Sequence, residues 1–252
     1  MAVTNAISSP ARADHAHRPL SRVAILIVSL LIAVLALAFG PAGGTAFAAQ
    51  SVAQCNGVDN TGGLGLTCDV TVTNNLNVAT GVASSIVTVK ACRGAANTAP
   101  TSCVGPTTTS YNTLTTSVNQ CNDSENGGGA SVICSVQVIN NITGGTSPTA
   151  ATINQCVGSG AGGTEPTLAC DPFPATTSSA SVTQCNGSAN GGGAQKRVTC
   201  TVATGSTESA QLAVTINQCN GSANGGGAVV TCKTELTTLV LKAAVKLPKV
   251  SG

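Results

Sequence analysis

The sequence predicts an all-β protein: a tandem array of disulfide-closed β-hairpins, three modules of about 64 residues with two cysteine loops each, behind an N-terminal signal helix. Three observations predict it. Twelve cysteines fall into six neighbouring pairs. The stretches beside them alternate Val or Ile with Thr, Ser or Gln, the period-two signature of strands. Between them lie Asn- and Gly-rich segments such as NGSANGGG, whose residues tolerate the positive φ that a chain reversal requires.

The N-terminus comes first. Residues 23–39, VAILIVSLLIAVLALAF, form an uncharged run, apolar but for Ser29, behind Arg12, Arg18 and Arg22, the pattern of a secretory signal. Ala46-Phe47-Ala48 supplies the small-x-small pattern of a cleavage site, so residues 1–48 read as signal peptide and the mature chain as starting at Ala49. The competing reading is an uncleaved anchor, because a run of 17 residues, apolar but for Ser29, sits at the short edge of what spans a hydrocarbon core of about 30 Å. Membrane contact would then run through this segment only. Export places the chain in an oxidising compartment, where an even count of regularly spaced cysteines is a disulfide framework. The expected localisation is secreted or cell-surface.

The repeat follows. The expected pairs are Cys55 with Cys68, Cys92 with Cys103, Cys121 with Cys134, Cys156 with Cys170, Cys185 with Cys200, and Cys219 with Cys232. Four units read QCNGVDNTGGLGLTC, QCNDSENGGGASVIC, QCNGSANGGGAQKRVTC and QCNGSANGGGAVVTC; QCVGSGAGGTEPTLAC is a worn version and ACRGAANTAPTSC barely recognisable. Spacing ties the last to the others, because first cysteines of alternate pairs lie 66 (55 to 121), 64 (121 to 185), 64 (92 to 156) and 63 (156 to 219) residues apart. The modules are therefore expected at 49–115, 116–179 and 180–248, the third carrying an apolar C-terminal segment, 235–252. A fixed period of this size marks a repeat array. On these units the sequence resembles a group of secreted actinobacterial proteins built from tandem QCNGS-x-NGGG…VTC repeats. The resemblance implies an extracellular β-rich protein and carries no activity, substrate or functional residue.

Composition says what holds such modules together. Only 8% of residues are charged and 2% aromatic, against 29 glycines, so apolar burial is a weak source of stability. Closing one loop of about 15 residues contributes roughly 3 kcal/mol, which ranks the bridges above the core. One feature fits a flat hairpin badly. In the outgoing strand Cys68, Val70 and Val72 share a face, whereas in the incoming strand Val182 and Gln184 face opposite Cys185. Both cysteines of a bridge must point together. Either an irregularity precedes the first cysteine or both sheet faces are covered by stacked modules; the second is the expectation.

The same residues narrow the function. Beyond residue 22 the chain carries eight basic and eight acidic residues, with no patch suited to nucleic acid. Its two histidines, His15 and His17, both precede the apolar run, so the mature part lacks the commonest general base and metal ligand. Paired carboxylates beside aromatic platforms, as sugar hydrolysis needs, are not visible, since Tyr111 and Phe173 are the mature aromatics. No catalytic residue, cofactor or metal site is predicted. Asn122, Asp123, Glu125 and Asn126 cluster oxygen ligands that could hold calcium weakly, but the expectation is a solvated turn. Asn122, Asn141, Asn186 and Asn220 begin N-x-S/T sequons and are read as turn residues. The segment ELTTLVLKAAVKLPKVSG reads as a final strand or an amphipathic helix. The function expected is that of a non-enzymatic structural repeat protein, self-associating or part of the cell envelope. The alternative is a binding module or adhesin using the Asn/Gly loops or Thr-rich faces.

Overall fold

Alternation decides the strands. From Ser131 to Thr143, every second residue is buried (Val132, Cys134, Val136, Val138, Asn140, Ile142) and its neighbours face outward. The computed structural model describes residues 47–95, 102–129, 131–161, 168–191 and 197–242. The apolar run at 23–39, Glu165, Lys246 and Lys249 lie outside the described residues.

Among the described residues there are strands and no helix. In chain order they are β1 (Ala49–Gln54), β2 (Leu64–Asn77), β3 (Val82–Ala95), β4 (Ser102–Tyr111) and β5 (Leu114–Gln120). Next come β6 (Ser131–Thr143), β7 (Thr149–Ala150), β8 (Ile153–Gln155), β9 (Leu168–Asp171) and β10 (Val182–Gln184). The last are β11 (Val198–Val202), β12 (Thr207–Glu208), β13 (Thr215–Gln218) and β14 (Val229–Leu241). One sheet has the order β1-β5-β13-β10-β8, all parallel, and the other β4-β3-β2-β6-β14-β11-β9; β7 and β12 form a small antiparallel pair.

The protein is all-β and six disulfides close local loops, each between the expected neighbours. A hairpin in the strict sense forms at one of them. Cys92 and Cys103 sit directly opposite each other on the antiparallel strands β3 and β4. In the other five, the strand before the first cysteine lies in one sheet and the strand carrying the second lies in the other. The chain makes an arch, and each arch strand pairs with the matching strand of another arch: Cys68, Cys134, Cys232, Cys200 and Cys170 form one continuous row across the second sheet. Gln54, Gln120, Gln218, Gln184 and Gln155 form another across the first. Parallel strands of this kind cannot be joined by tight turns, which is why the pairing is between units and not within them. The spacing argument that made the 92–103 unit the counterpart of the 156–170 unit therefore does not carry over, since one is an edge hairpin and the other an arch.

The arches stack as rungs, in the spatial order 55, 121, 219, 185, 156 by first cysteine, which differs from chain order. The chain lays down two rungs, passes to the far end for the third, and returns so that the last, with β13 and β14, closes the gap. Crossovers from β1 to β5 and from β8 through β10 to β13 leave by the same face of the first sheet but step in opposite directions, so they have opposite hands. One of the two runs thus departs from the right-handed preference of parallel crossovers. The core between the sheets has two apolar clusters, one around the cystines with Leu66, Val132, Val198 and Val230, the other around Val72, Val118, Val138, Ile216 and Leu236.

The final strand reading of the C-terminal segment holds for residues 235–241, which belong to β14. Phe47 and Ala48, which the expected cleavage would remove, already contact the fold: Phe47 packs against the core, and Ala48 O accepts a hydrogen bond from Leu114 N (3.1 Å).

Candidate functional site

The recurring residues of the repeats converge on one end of the rungs, where five Asn/Gly loops lie one on another. Each begins at its first cysteine, and each of those cysteines has a left-handed backbone: φ is 57° at Cys55, 55° at Cys121, 60° at Cys156, 58° at Cys185 and 57° at Cys219. A non-glycine residue there is uncommon. The conformation breaks the alternation of the incoming strand, so Gln184 and Cys185 are both turned inward and both fully buried. The expectation that both faces are covered is corrected: an irregularity at the first cysteine aligns the two sulfurs. Sulfurs of adjacent bridges then lie within 4.8 Å of one another, as Cys121, Cys134 and Cys219 do.

Three polar ladders run along the stack. In the first, Asn122 N donates to Asn56 Oδ1 (2.9 Å), Asn220 N to Asn122 Oδ1 (2.9 Å), Asn186 N to Asn220 Oδ1 (3.0 Å) and Val157 N to Asn186 Oδ1 (2.8 Å). The second Asn of each loop repeats this through Asn60, Asn126, Asn224 and Asn190, ending where Ala161 N donates to Asn190 Oδ1. The third is serine. Ser124, Ser222, Ser188 and Ser159 each donate to the cysteine carbonyl of the adjoining rung and accept a backbone N–H from it. Buried polar groups need partners, and the loops supply them to one another.

The ends of the ladders depart from the repeat. An asparagine reaches from its rung toward the 156 rung, and there Val157 and Ala161 stand in its place. A serine reaches the other way, and in the 55 rung its place is taken by Val58. Both terminal units, the worn 156 unit and the otherwise regular 55 unit, thus carry apolar residues at the positions that would reach out for another rung.

Behind the cystines runs a row of glutamines, four of them fully buried, joined by side-chain hydrogen bonds. Gln120 Nε2 donates to Gln54 Oε1 (3.0 Å), Gln218 Nε2 to Gln120 Oε1 (2.8 Å), and Gln184 Nε2 to Gln155 Oε1 (2.7 Å). Direction reverses between Gln218 and Gln184, so two acceptor oxygens face one another. Thr234 Oγ1 lies 2.8 Å from one and 2.7 Å from the other, and its hydroxyl supplies the proton the pair lacks. Val70, Val136 and Val202 hold the matching position in their rungs. At the two ends Gln54 Nε2 donates to Lys90 O (2.9 Å) and Gln155 Nε2 to Pro172 O.

The glycine runs are explained by close approach. A Cβ on Gly127 would fall 2.1 Å from Gly62 N, and one on Gly225 would fall 2.0 Å from Gly128 N. No side chain fits at these two positions.

The predicted oxygen cluster is not brought together. Asn122 and Asn126 belong to separate ladders, Asp123 is exposed, and Glu125 turns inward, fully buried. The sequon residues Asn122, Asn186 and Asn220 have their amides engaged between rungs, and Asn141 Nδ2 donates to Asn75 Oδ1 (3.0 Å). The sequence reading missed Glu125 as a buried group and Arg197, fully buried with Nη1 on Ala161 O (3.2 Å). Glu125 could have been found by aligning QCNDSEN with QCNGSAN: its equivalents are Ala189 and Ala223, both buried. Burial holds its carboxyl well above the ordinary carboxylate range, at about 7; the negative charge of Asp59 adds to the effect and Arg93 opposes it.

A cleft of about 240 Å³ lies elsewhere, lined by Thr149, Ser181, Glu208, Val214 and Thr215 among others. Its carboxylate, Glu208, stands beside hydroxyls, with Thr152 Oγ1 at 3.4 Å; the lining provides a single acid, short of the pair that acid–base hydrolysis uses.

No curated protein and no solved structure matches the chain. A family model, the domain of unknown function DUF8253, matches residues 51–239, and the chain belongs to that family.

Proposed function

We propose that the protein is a non-enzymatic structural module of the cell exterior, a short disulfide-riveted body of fixed length. Six disulfides fit an oxidising, extracellular-type setting. The observation that carries the structural reading is the use made of the repeat itself. Asn, Ser and Gly, the residues a binding reading of the loops would need, are consumed by contacts between rungs. Val58, Val157 and Ala161 close both ends, which favours a body that does not grow by adding copies.

A second reading rests on β4. This edge strand is exposed along almost its whole length and presents Thr107, Thr108, Thr109 and Ser110. An unpaired edge is a template for another strand, so a binding role belongs here and not at the Asn/Gly loops. Sedimentation velocity of the oxidised protein, with and without added cell-wall polymer, separates the readings. Monomers that ignore the polymer support the structural module. Co-sedimentation abolished by Thr108→Lys supports the edge-strand binder.

A further inference from the structure

We infer that a proton held by Glu125 and donated to Asp59 forms a pH-sensitive latch between the first two rungs. The two residues hold the same place in adjacent loops, the place filled by Ala223, Ala189 and Gly160 further along the stack. Both have left-handed backbones, φ 54° and 57°, and the loops are joined beside them by a hydrogen bond from Glu125 N to Val58 O (2.9 Å).

The side chains are not satisfied as carboxylates. Glu125 is fully buried and neither of its oxygens has a hydrogen-bond partner, and the buried Asp59 Oδ2 has only its ion pair with Arg93. Leaving such atoms unpaired is costly. Carboxylates offer acceptors only, so their contact becomes a hydrogen bond when one of them carries a proton. The protonated Glu125 then donates to Asp59, and Arg93 Nε, 3.2 Å from Asp59 Oδ2, neutralises the one remaining charge. Asp59 on the first loop and Arg93 on β3 are the charged groups acting on Glu125; the loop on its other side brings the uncharged Ala223. A resident metal ion suits the site poorly, because Arg93 already occupies the cationic position.

The consequence follows by linkage. Glu125 is raised from 4.5 to about 7 in the folded chain, so between these values the folded state holds a proton that the unfolded state has lost. Stability contributed by the latch is complete below about pH 4.5, falls as pH rises, and is gone above about 7. The first rung, with β1 and the 55–63 loop, then loosens from the second.

The test uses the oxidised full-length chain in mild detergent. Carbon-13 NMR of labelled carboxyls should place the Glu125 titration near neutrality, and thermal stability should decline across that window. Glu125→Gln should remove the decline; Glu125→Ala, which restores the residue of the inner rungs, should do the same and serves if Gln fails to fold. A Glu125 carboxyl titrating in the ordinary range, or a variant keeping the wild-type slope, overturns the latch. So does restoration of wild-type stability by calcium chloride above pH 7, lost in Glu125→Gln, which would make the pair a cation site.

Discussion

The Cys92–Cys103 hairpin and the five rungs carry bridges of similar sequence separation, 11 residues against 13 to 15, yet they do different work. The hairpin bridge joins neighbours within one sheet, at an edge where Cys103 is exposed. A rung bridge joins two sheets through the core; Cys185, Cys200, Cys219 and Cys232 are fully buried. Loop closure by itself gives both about the same 3 kcal/mol. The rungs add packing, because each cystine fills space between the bridges above and below it. Cysteine spacing measures the first contribution and is silent about the second.

Removing bridges exposes that difference most strongly. Cys219→Ala with Cys232→Ala, in the middle of the stack, should cost about 4–5 kcal/mol, while Cys92→Ala with Cys103→Ala should cost about 2–3 kcal/mol. Urea unfolding of the two double variants measures the gap; equal costs would mean that the cystine column adds no packing energy.

Next in size is the loop spacing. Gly127→Ala puts a methyl against the Gly62 backbone and should cost about 3 kcal/mol by overpacking. Gly57→Ala meets nothing within 4 Å and has only its φ of 63° to strain, about 1 kcal/mol. The same unfolding experiment ranks them.

A smaller effect tests the glutamine row. Thr234→Val gives the 219 rung the residue that Val70, Val136 and Val202 provide elsewhere, and a repeat-based argument would expect it to be harmless. Here it leaves Gln184 and Gln218 with facing oxygens and no proton between them, so it should cost about 2 kcal/mol. A neutral outcome would mean that one amide reverses at no cost.

These substitutions also mark how far the sequence could be read. Alternation in SVICSVQVIN gave β6 its buried face, and local loops gave the pairs, because both are properties of contiguous residues. Rung order was out of reach. Every arch carries the same code, Gln-Cys on one strand and Thr-Cys or its equivalent on the other, so any rung could stack on any other. The order 55, 121, 219, 185, 156 is marked only where the code departs, at Val58, Val157, Ala161 and Thr234; Val157 and Ala161 read as wear, and Val58 and Thr234 as nothing at all, until the ladders give them a direction. The left-handed cysteines were hidden for another reason: side-chain alternation assumes an extended backbone up to the cysteine, and the backbone turns at that residue.

The most direct test of a disulfide-riveted body is graded reduction followed by peptide mapping under non-reducing conditions, with circular dichroism and proteinase K digestion at each step. Cys92–Cys103 should open first, leaving the sheets and protease resistance in place. The five rung bridges should then open together, and sheet signal and resistance should be lost with them. A state in which Cys121–Cys134 or Cys219–Cys232 is open while the sheets survive protease would contradict the account, and would make packing between strands the dominant source of stability.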